Sequence, residues 1–199
     1  SSAKVMLPLI QKYSTATGAA PDDLANIAIK LKQSFGIKDS DLESALNMAI
    51  SAGQSGSFEL KDMAKWLPKQ LASAGNVGMK GLDDFAVLLG WNQASAITSG
   101  SADEAGNNLN NLLLKLNSQD AANAAARIKL PSGKGIDLSG SLAKGVGNGI
   151  NPLEAFNTIV DKIVASHPAY KKLEDKLKTA PESERKNIIS SQARILEGS

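Results

Sequence analysis

Cysteine is absent from this 199-residue chain, which excludes disulfides and thiolate metal centres. Histidine occurs once, at His167, so a metal site or a His-based triad has few side chains to be assembled from. Aromatic residues make up only 4%. The core must therefore rest on Leu, Ile, Val and many alanines. Burial contributes ~25 cal/mol per Å², and small side chains bury little area each, so modest stability is expected. No apolar run approaches the ~20 residues that span a bilayer; the longest, Phe85 to Leu89, is far shorter. The opening Ser-Ser-Ala-Lys is not the basic region and long apolar core of a secretory signal. It also lacks an initiator Met and enters a helical pattern almost at once, which reads as a piece of something longer. Charge of one sign is scarce too. The formal net charge is +2; residues 1–167 balance, and the excess comes from residues 168–199, with seven Lys+Arg against five Asp+Glu. A nucleic-acid binder needs a clustered basic face, which this distribution does not supply.

What is present is helical periodicity, nearly everywhere. Lys4 to Thr15 reads as a first helix containing Pro8. Pro21-Asp22-Asp23 opens a second, with proline in the first turn and carboxylates facing the positive end of the helix dipole. Its stripe is Leu24, Ile27, Ala28, Leu31 and Phe35, and Gly36 is the stop. Ser40-Asp41-Leu42-Glu43 reads as a capping box leading into Leu42, Ala45, Leu46, Ala49 and Ile50. From Gly53 to Gly75 a glycine turn gives way to a helix with Leu60, Met63, Ala64, Leu67 and Leu71 on one face and Pro68 in mid-pattern, where proline kinks or ends a helix. Leu82 to about Ile97 follows, with Leu82, Phe85, Ala86 and Leu89 on one face. Ser101 to Glu104 is a second capping box before Leu109, Leu112, Leu113 and Leu116.

The texture changes at Lys129 to Gly149, which holds six glycines and Pro131 and reads as a linker, interrupted by a short helix at about Leu138 to Lys144. Asn151-Pro152 restarts helix in the favoured cap-proline order, with Leu153, Phe156, Val160, Ile163 and Val164 on its face. Two charged helices, Ala169 to Thr179 and Glu182 to Glu197, complete the chain, with Gly198 as the stop. The expected fold is all-α, about 8–10 helices with Gly/Pro-rich connections and no sheet. The expected organisation is a helical core region at 1–128, a linker at 129–150 and C-terminal helices at 151–199, the last able to pack with the first part as one domain.

Residues that suggest chemistry have simpler explanations. The acidic pairs Asp22-Asp23, Asp83-Asp84 and Asp103-Glu104 all fall in first helical turns, where the dipole favours carboxylates. His167 sits at a helix end before a proline, a place suited to a dipole role. Glu43-Ser44 and Glu182-Ser183 match the Glu-Ser pair of lytic transglycosylases as dipeptides only. Gly145-Val-Gly-Asn-Gly starts like a dinucleotide fingerprint but has Ile150 at the sixth position and no strand before it. Gly133-Lys134 lacks the upstream glycine of a phosphate loop. No catalytic residue, cofactor or metal is expected. Trp66 and Trp91 are candidate partner anchors that also fit core or groove packing. Asn107, Asn108, Asn110 and Asn111 read as a polar helix face, with a polar ladder to another helix as the alternative.

Several segments, taken in order, resemble the core region of phage tail tape measure proteins. The clearest is Phe58-Glu59-Leu60-Lys61-Asp62-Met63-Ala64 with Leu67-Pro68, followed by Gly78-Met79 and Leu82. Asp103-Glu104-Ala105-Gly106-Asn107-Asn108-Leu109 through Leu116-Asn117-Ser118, then Gly135-Ile136-Asp137-Leu138, Pro152-Leu153-Glu154-Ala155-Phe156 and Ile195-Leu196-Glu197-Gly198-Ser199 continue the match, which spans about residues 20–199.

The resemblance implies a non-enzymatic structural protein of the virion that sets tail length, scaffolds tube polymerisation and fills the tube lumen until DNA ejection. It implies self-association and contact with the tail tube protein and tail assembly chaperones, with no specific nucleic acid. It places the protein in the phage tail, and in the host cytoplasm during assembly. Phe58, Met63, Trp66, Leu67 and Trp91 are the candidate packing or partner contacts. The alternatives are a peptidoglycan-lytic module and a generic helical interaction domain. A ruler needs a steady rise, ~1.5 Å per residue in a helix. Seventeen glycines and seven prolines would interrupt any rod, so a semi-globular helical module within the ruler protein is the expectation, with a thin core able to unravel.

Overall fold

A computed structural model describes residues 2–128 and 133–197. Pro131 and the Gly198 stop lie outside the described residues. Among those described there are twelve α-helices and no sheet, so the all-α expectation holds. The backbone divides into two compact units, Ser1–Lys115 and Leu116–Ser199.

The first unit contains α1 (Ser2–Thr17), α2 (Pro21–Phe35), α3 (Leu42–Ser55), α4 (Leu60–Met63), α5 (Leu67–Asn76), α6 (Gly81–Thr98) and nearly all of α7 (Ala102–Leu116). In α2 every residue of the expected stripe is buried. Gly36 closes it with φ +66°, and Ile37 N–H donates back to the Leu31 carbonyl at 3.0 Å, the geometry glycine adopts at no steric cost. Helices α2 and α5 pack on each other, as do α3 and α6. Phe35 and Phe85 meet edge to face, ring centres 6.3 Å apart, an arrangement favoured by the aromatic quadrupole.

The structure departs from the sequence reading at four places in this unit. The proline-containing helix is two helices, α4 and α5, with a turn over 64–66. Pro68 sits in the first turn of α5, where its missing N–H leaves no bond unmade. This split adds one helix to the count. Ser40 does not cap α3: Asp39–Asp41 is a 3-10 turn, and Ser40 Oγ donates to Asp41 Oδ1 instead. The buried face of α6 is Phe85, Leu88, Leu89 and Asn92, leaving Leu82 half-buried and Ala86 exposed. In α3, Gly53 takes the last core position and Ile50 is half-buried. At the second expected capping box Ser101 does cap α7, while Glu104 reaches back one residue beyond it. Ser101 Oγ accepts from Glu104 N–H at 3.1 Å, and the Glu104 carboxylate accepts from Gly100 N–H at 2.8 Å.

The second unit contains α8 (Gln119–Arg127), α9 (Leu138–Gly147), α10 (Pro152–Ala165), α11 (Pro168–Thr179) and α12 (Glu182–Glu197). Each packs chiefly on its neighbour in sequence. Asp137 caps α9 through Gly140 N–H at 2.9 Å, and Asn151 caps α10 through Leu153 N–H at 2.8 Å, the latter as the sequence indicated. The inner face of α10 is Leu153, Ala155, Ile159 and Ile163. The expected Phe156, Val160 and Val164 are only half-buried, because the stripe is rotated toward the side that meets α9. Neither α8 nor α11 buries a residue.

Candidate interaction site

The segment from Gly53 to Gly75 forms the hub of the first unit, and amide side chains hold it. Gln93, on α6, uses both ends of its amide on the backbone of Phe58: Phe58 N–H donates to Oε1 at 3.1 Å, and Nε2 donates to the Phe58 carbonyl at 2.8 Å. The same Nε2 lies 3.9 Å from Met63 Sδ. The side chain thus supplies the two bonds a neighbouring strand would have given to an otherwise unpaired stretch. Gly56 makes the room, since a Cβ there would lie 1.9 Å from Gln93 Oε1.

A second amide pair joins three helices. Gln70 of α5 and Asn92 of α6 are both fully buried. Gln70 Nε2 donates to Asn92 Oδ1 at 2.9 Å and to the Gly106 carbonyl of α7 at 3.0 Å. Asn92 Nδ2 donates to Gln70 Oε1 at 2.8 Å and to the Leu88 carbonyl at 3.2 Å. All four amide hydrogens are used, so the desolvation of two polar side chains is offset. Ser73 adds a bond to Asn110 Oδ1 at 3.2 Å, so part of the asparagine face of α7 does face another helix. Among the described residues no buried side-chain nitrogen or oxygen lacks a partner.

The five residues singled out from the sequence divide by burial. Phe58, Met63 and Leu67 are wholly buried, so their side chains line the interior. Trp66 and Trp91 are half-buried. Trp66 lies close against α7: a Cβ at Gly106 would sit 2.3 Å from its ring. Its Nε1 donates to Asp103 Oδ1 at 3.2 Å, and the Lys69 ammonium stands 5.1 Å from the ring centre, within cation–π range. Trp66 therefore offers an amphipathic, partly open face with a cation beside it.

Sequence reading missed Gln70, Asn92 and Gln93. The signal for two of them is phase. Gln70 falls seven residues after Met63 and three after Leu67, and Asn92 falls seven after Phe85, so each polar residue occupies an apolar position of its helix. Gln93, one residue beyond the stripe, carries no such signal.

The groups that suggested catalysis are occupied structurally. Glu43 pairs with Lys12 of α1 at 2.7 Å, and this partner raises the Lys12 pKa above its ordinary value, first through the hydrogen bond and then through charge. Beside it, Tyr13 donates to Asn47 Oδ1 at 2.7 Å, and burial raises its phenol pKa. Glu182 is exposed at the start of α12, 3.8 Å from Arg185. His167 Nδ1 lies 2.8 Å from the Ile163 carbonyl at the end of α10, the C-terminal location the sequence suggested. Gly145 and Gly147 belong to the end of α9 rather than to a strand-to-helix phosphate turn. Among the described residues, no acidic or histidine cluster is placed to hold a metal, and no helix is long and apolar enough to cross a membrane.

The sequence matches the family of phage-related minor tail proteins over residues 1–191. It is 35% identical over 159 residues to a protein of Burkholderia phage BcepMu described as a probable tape measure protein. That alignment covers 79% of this chain but 18% of the relative, so the chain spans less than a fifth of the length of the protein it matches. No solved structure matches. A family match along almost the whole length leads to one assignment: the chain belongs to the phage-related minor tail protein family.

Proposed function

We propose that this chain is a structural segment of a tail tape measure protein, helping to set tail length, scaffold tube assembly and occupy the lumen until DNA ejection. The observation that carries the reading is the alignment of 79% of the chain with a protein described as a probable tape measure protein. The fold supplies the physical form of the role. A measuring rod rises ~1.5 Å per residue along an unbroken helix, whereas the longest helix among the described residues has 18 residues and packs sideways on its neighbours. The segment acts as a folded node within a ruler, not as the graduated part of it.

Its action is through contact rather than catalysis. Trp66 and Trp91 are the partner contacts, the first braced by Gly106 and Lys69. Phe58, Met63 and Leu67 anchor the backbone that presents them. The partners are other copies of the chain, the tail tube protein and the tail assembly chaperones, in the host cytoplasm during assembly and in the virion tail afterwards.

The test is deletion of this segment, in frame, from its parent gene in a phage that makes measurable tails. Electron microscopy should find tails absent, or shortened by less than the deleted length would give as an unbroken helix. Tails of unchanged number and length would sink the reading.

A further inference from the structure

Within the second unit, α9, α10 and the chain leading into α9 enclose a groove of about 490 Å³. Its floor is apolar: Ile136, Ala155 and Ile159 are nearly covered, while Ile150 stands 44% exposed at the mouth. The helices come together at one point. A Cβ on Gly145 would lie 2.8 Å from the Ala155 methyl, and from that contact the walls run along Ser141 and Asp137 on one side and Thr158 and Lys162 on the other.

Charge around the groove is one-sided. Lys134, Lys144 and Lys162 line it, all exposed, and none makes an ion pair among the described residues. The carboxylate in the lining, Asp137, is engaged as the cap of α9. Three ammonium groups against one carboxylate around an isoleucine floor ask for a ligand that is apolar along one side and anionic along its flanks.

We propose that this groove docks an amphipathic, acidic α-helix from another protein, apolar face on the isoleucine floor and carboxylates against the three lysines. Helix-in-groove recognition places anchors at three- and four-residue spacing, the same spacing that sets out Ser141, Lys144 and Asn148 along one wall and Ala155, Thr158 and Lys162 along the other. A nucleic-acid backbone would match the lysines but would desolvate phosphates against Ile136, Ile150 and Ile159. A second copy of this chain fits poorly. Its other exposed large apolar residues, including Leu7, Ile97 and Leu114, have no Asp or Glu three or four positions away, so none of them presents the required face. The proposal stands on this unit alone and does not rest on the tape measure reading.

The experiment is fluorescence anisotropy with the full chain. The probe is a labelled synthetic peptide carrying Leu at helical spacing with Glu on both flanks. The competitors are a peptide of the same composition in scrambled order and a short DNA duplex. Saturable binding that weakens with salt is expected. The Lys144→Glu/Lys162→Glu double variant should weaken it by roughly tenfold or more, and Ile150→Asp should also weaken it, with circular dichroism confirming that both variants stay folded. Absence of saturable binding, equal binding of the scrambled peptide, displacement by DNA as effective as by the peptide itself, or indifference to all three substitutions would each overturn the proposal. None of these outcomes bears on tail length.

Discussion

The two units are built from the same kind of element and differ in how much each helix hides. Most of the large side chains that are wholly buried, Phe35, Phe58 and Phe85 among them, lie in the first unit, and Leu153 is their counterpart in the second. The second unit relies on Leu138, Leu142, Leu153, Ile159, Ile163 and a few others, most still 6–9% exposed, and two of its helices bury nothing. Helical stability comes mainly from packing an apolar face, because isolated helices of this length are marginal in water. The lesson is that an aromatic-poor composition need not give a uniformly thin core. Three of the four phenylalanines, Phe35, Phe58 and Phe85, are concentrated where they are wholly buried.

This contrast can be broken or sharpened by experiment. The largest effect is expected from Phe85→Ala, which removes a ring packed on Phe35 and should cost about 3–5 kcal/mol, against ~2 kcal/mol for Ile163→Ala in α10. Both tryptophans lie in the first unit, so intrinsic fluorescence follows that unit alone while far-UV circular dichroism follows both. In urea the dichroism should begin to fall before the fluorescence shifts, and Phe85→Ala should draw the two curves together. Coincident transitions in the unaltered protein would refute the contrast.

Gly106→Ala comes next. Alanine gains ~1 kcal/mol of helix propensity, but its methyl would meet Trp66 ring atoms at 2.3 Å, and overpacking costs ~1–3 kcal/mol. A net loss of stability with a shifted tryptophan emission is expected; a net gain would show that Trp66 is free to move.

The amide pair gives a third, comparable effect with a diagnostic shape. Gln70→Leu alone strands the Asn92 amide and the Gly106 carbonyl and should cost ~1–3 kcal/mol. Adding Asn92→Leu should recover part of that loss, because two apolar groups leave fewer polar atoms unpaired. Strictly additive losses in denaturant melts would show that the pair is not coupled.

The smallest effect is a pH response. Each unit has one tyrosine, Tyr13 and Tyr170. Burial raises the pKa of both above 10.0, helped at Tyr170 by Glu174 and Asp161. A raised phenol contributes stability that is full below the unfolded value and lost as pH rises through the folded one. In a Tyr170→Phe protein, tyrosinate absorbance should therefore appear at higher pH when the protein is folded than when it is unfolded in urea. Equal titration in the two states would contradict the burial of Tyr13.

Much of the fold was legible because helix termini carry local chemistry. Pro21, Asp22 and Asp23 opened α2, Gly36 closed it, and Asn151 capped α10, all through atoms within a few residues of one another. The errors arose where partners are distant. Which side of α6 faces inward depends on α3 and α2, so the buried face fell on Leu88 and Asn92 rather than Leu82 and Ala86. Ser40 failed as a cap because Asp39–Asp41 tightened into a 3-10 turn. The amide hub was the least legible. Gln93 finds Phe58 across 35 residues, and nothing in the local pattern of either residue points to the other.

The order in which helices pair has a mechanical consequence. In the first unit α2 rests on α5 and α3 on α6, so pairing closes loops that span other helices, and pulling on either end loads several contacts at once. In the second unit each helix leans chiefly on the next one along the chain. Such a low contact order favours fast folding, and under tension it lets the unit peel one hairpin at a time, each step resisted only by the contacts of a single helix. A chain with this grading would yield from its C-terminal part first, at low force, and would hold its N-terminal part until a larger load released it in one step.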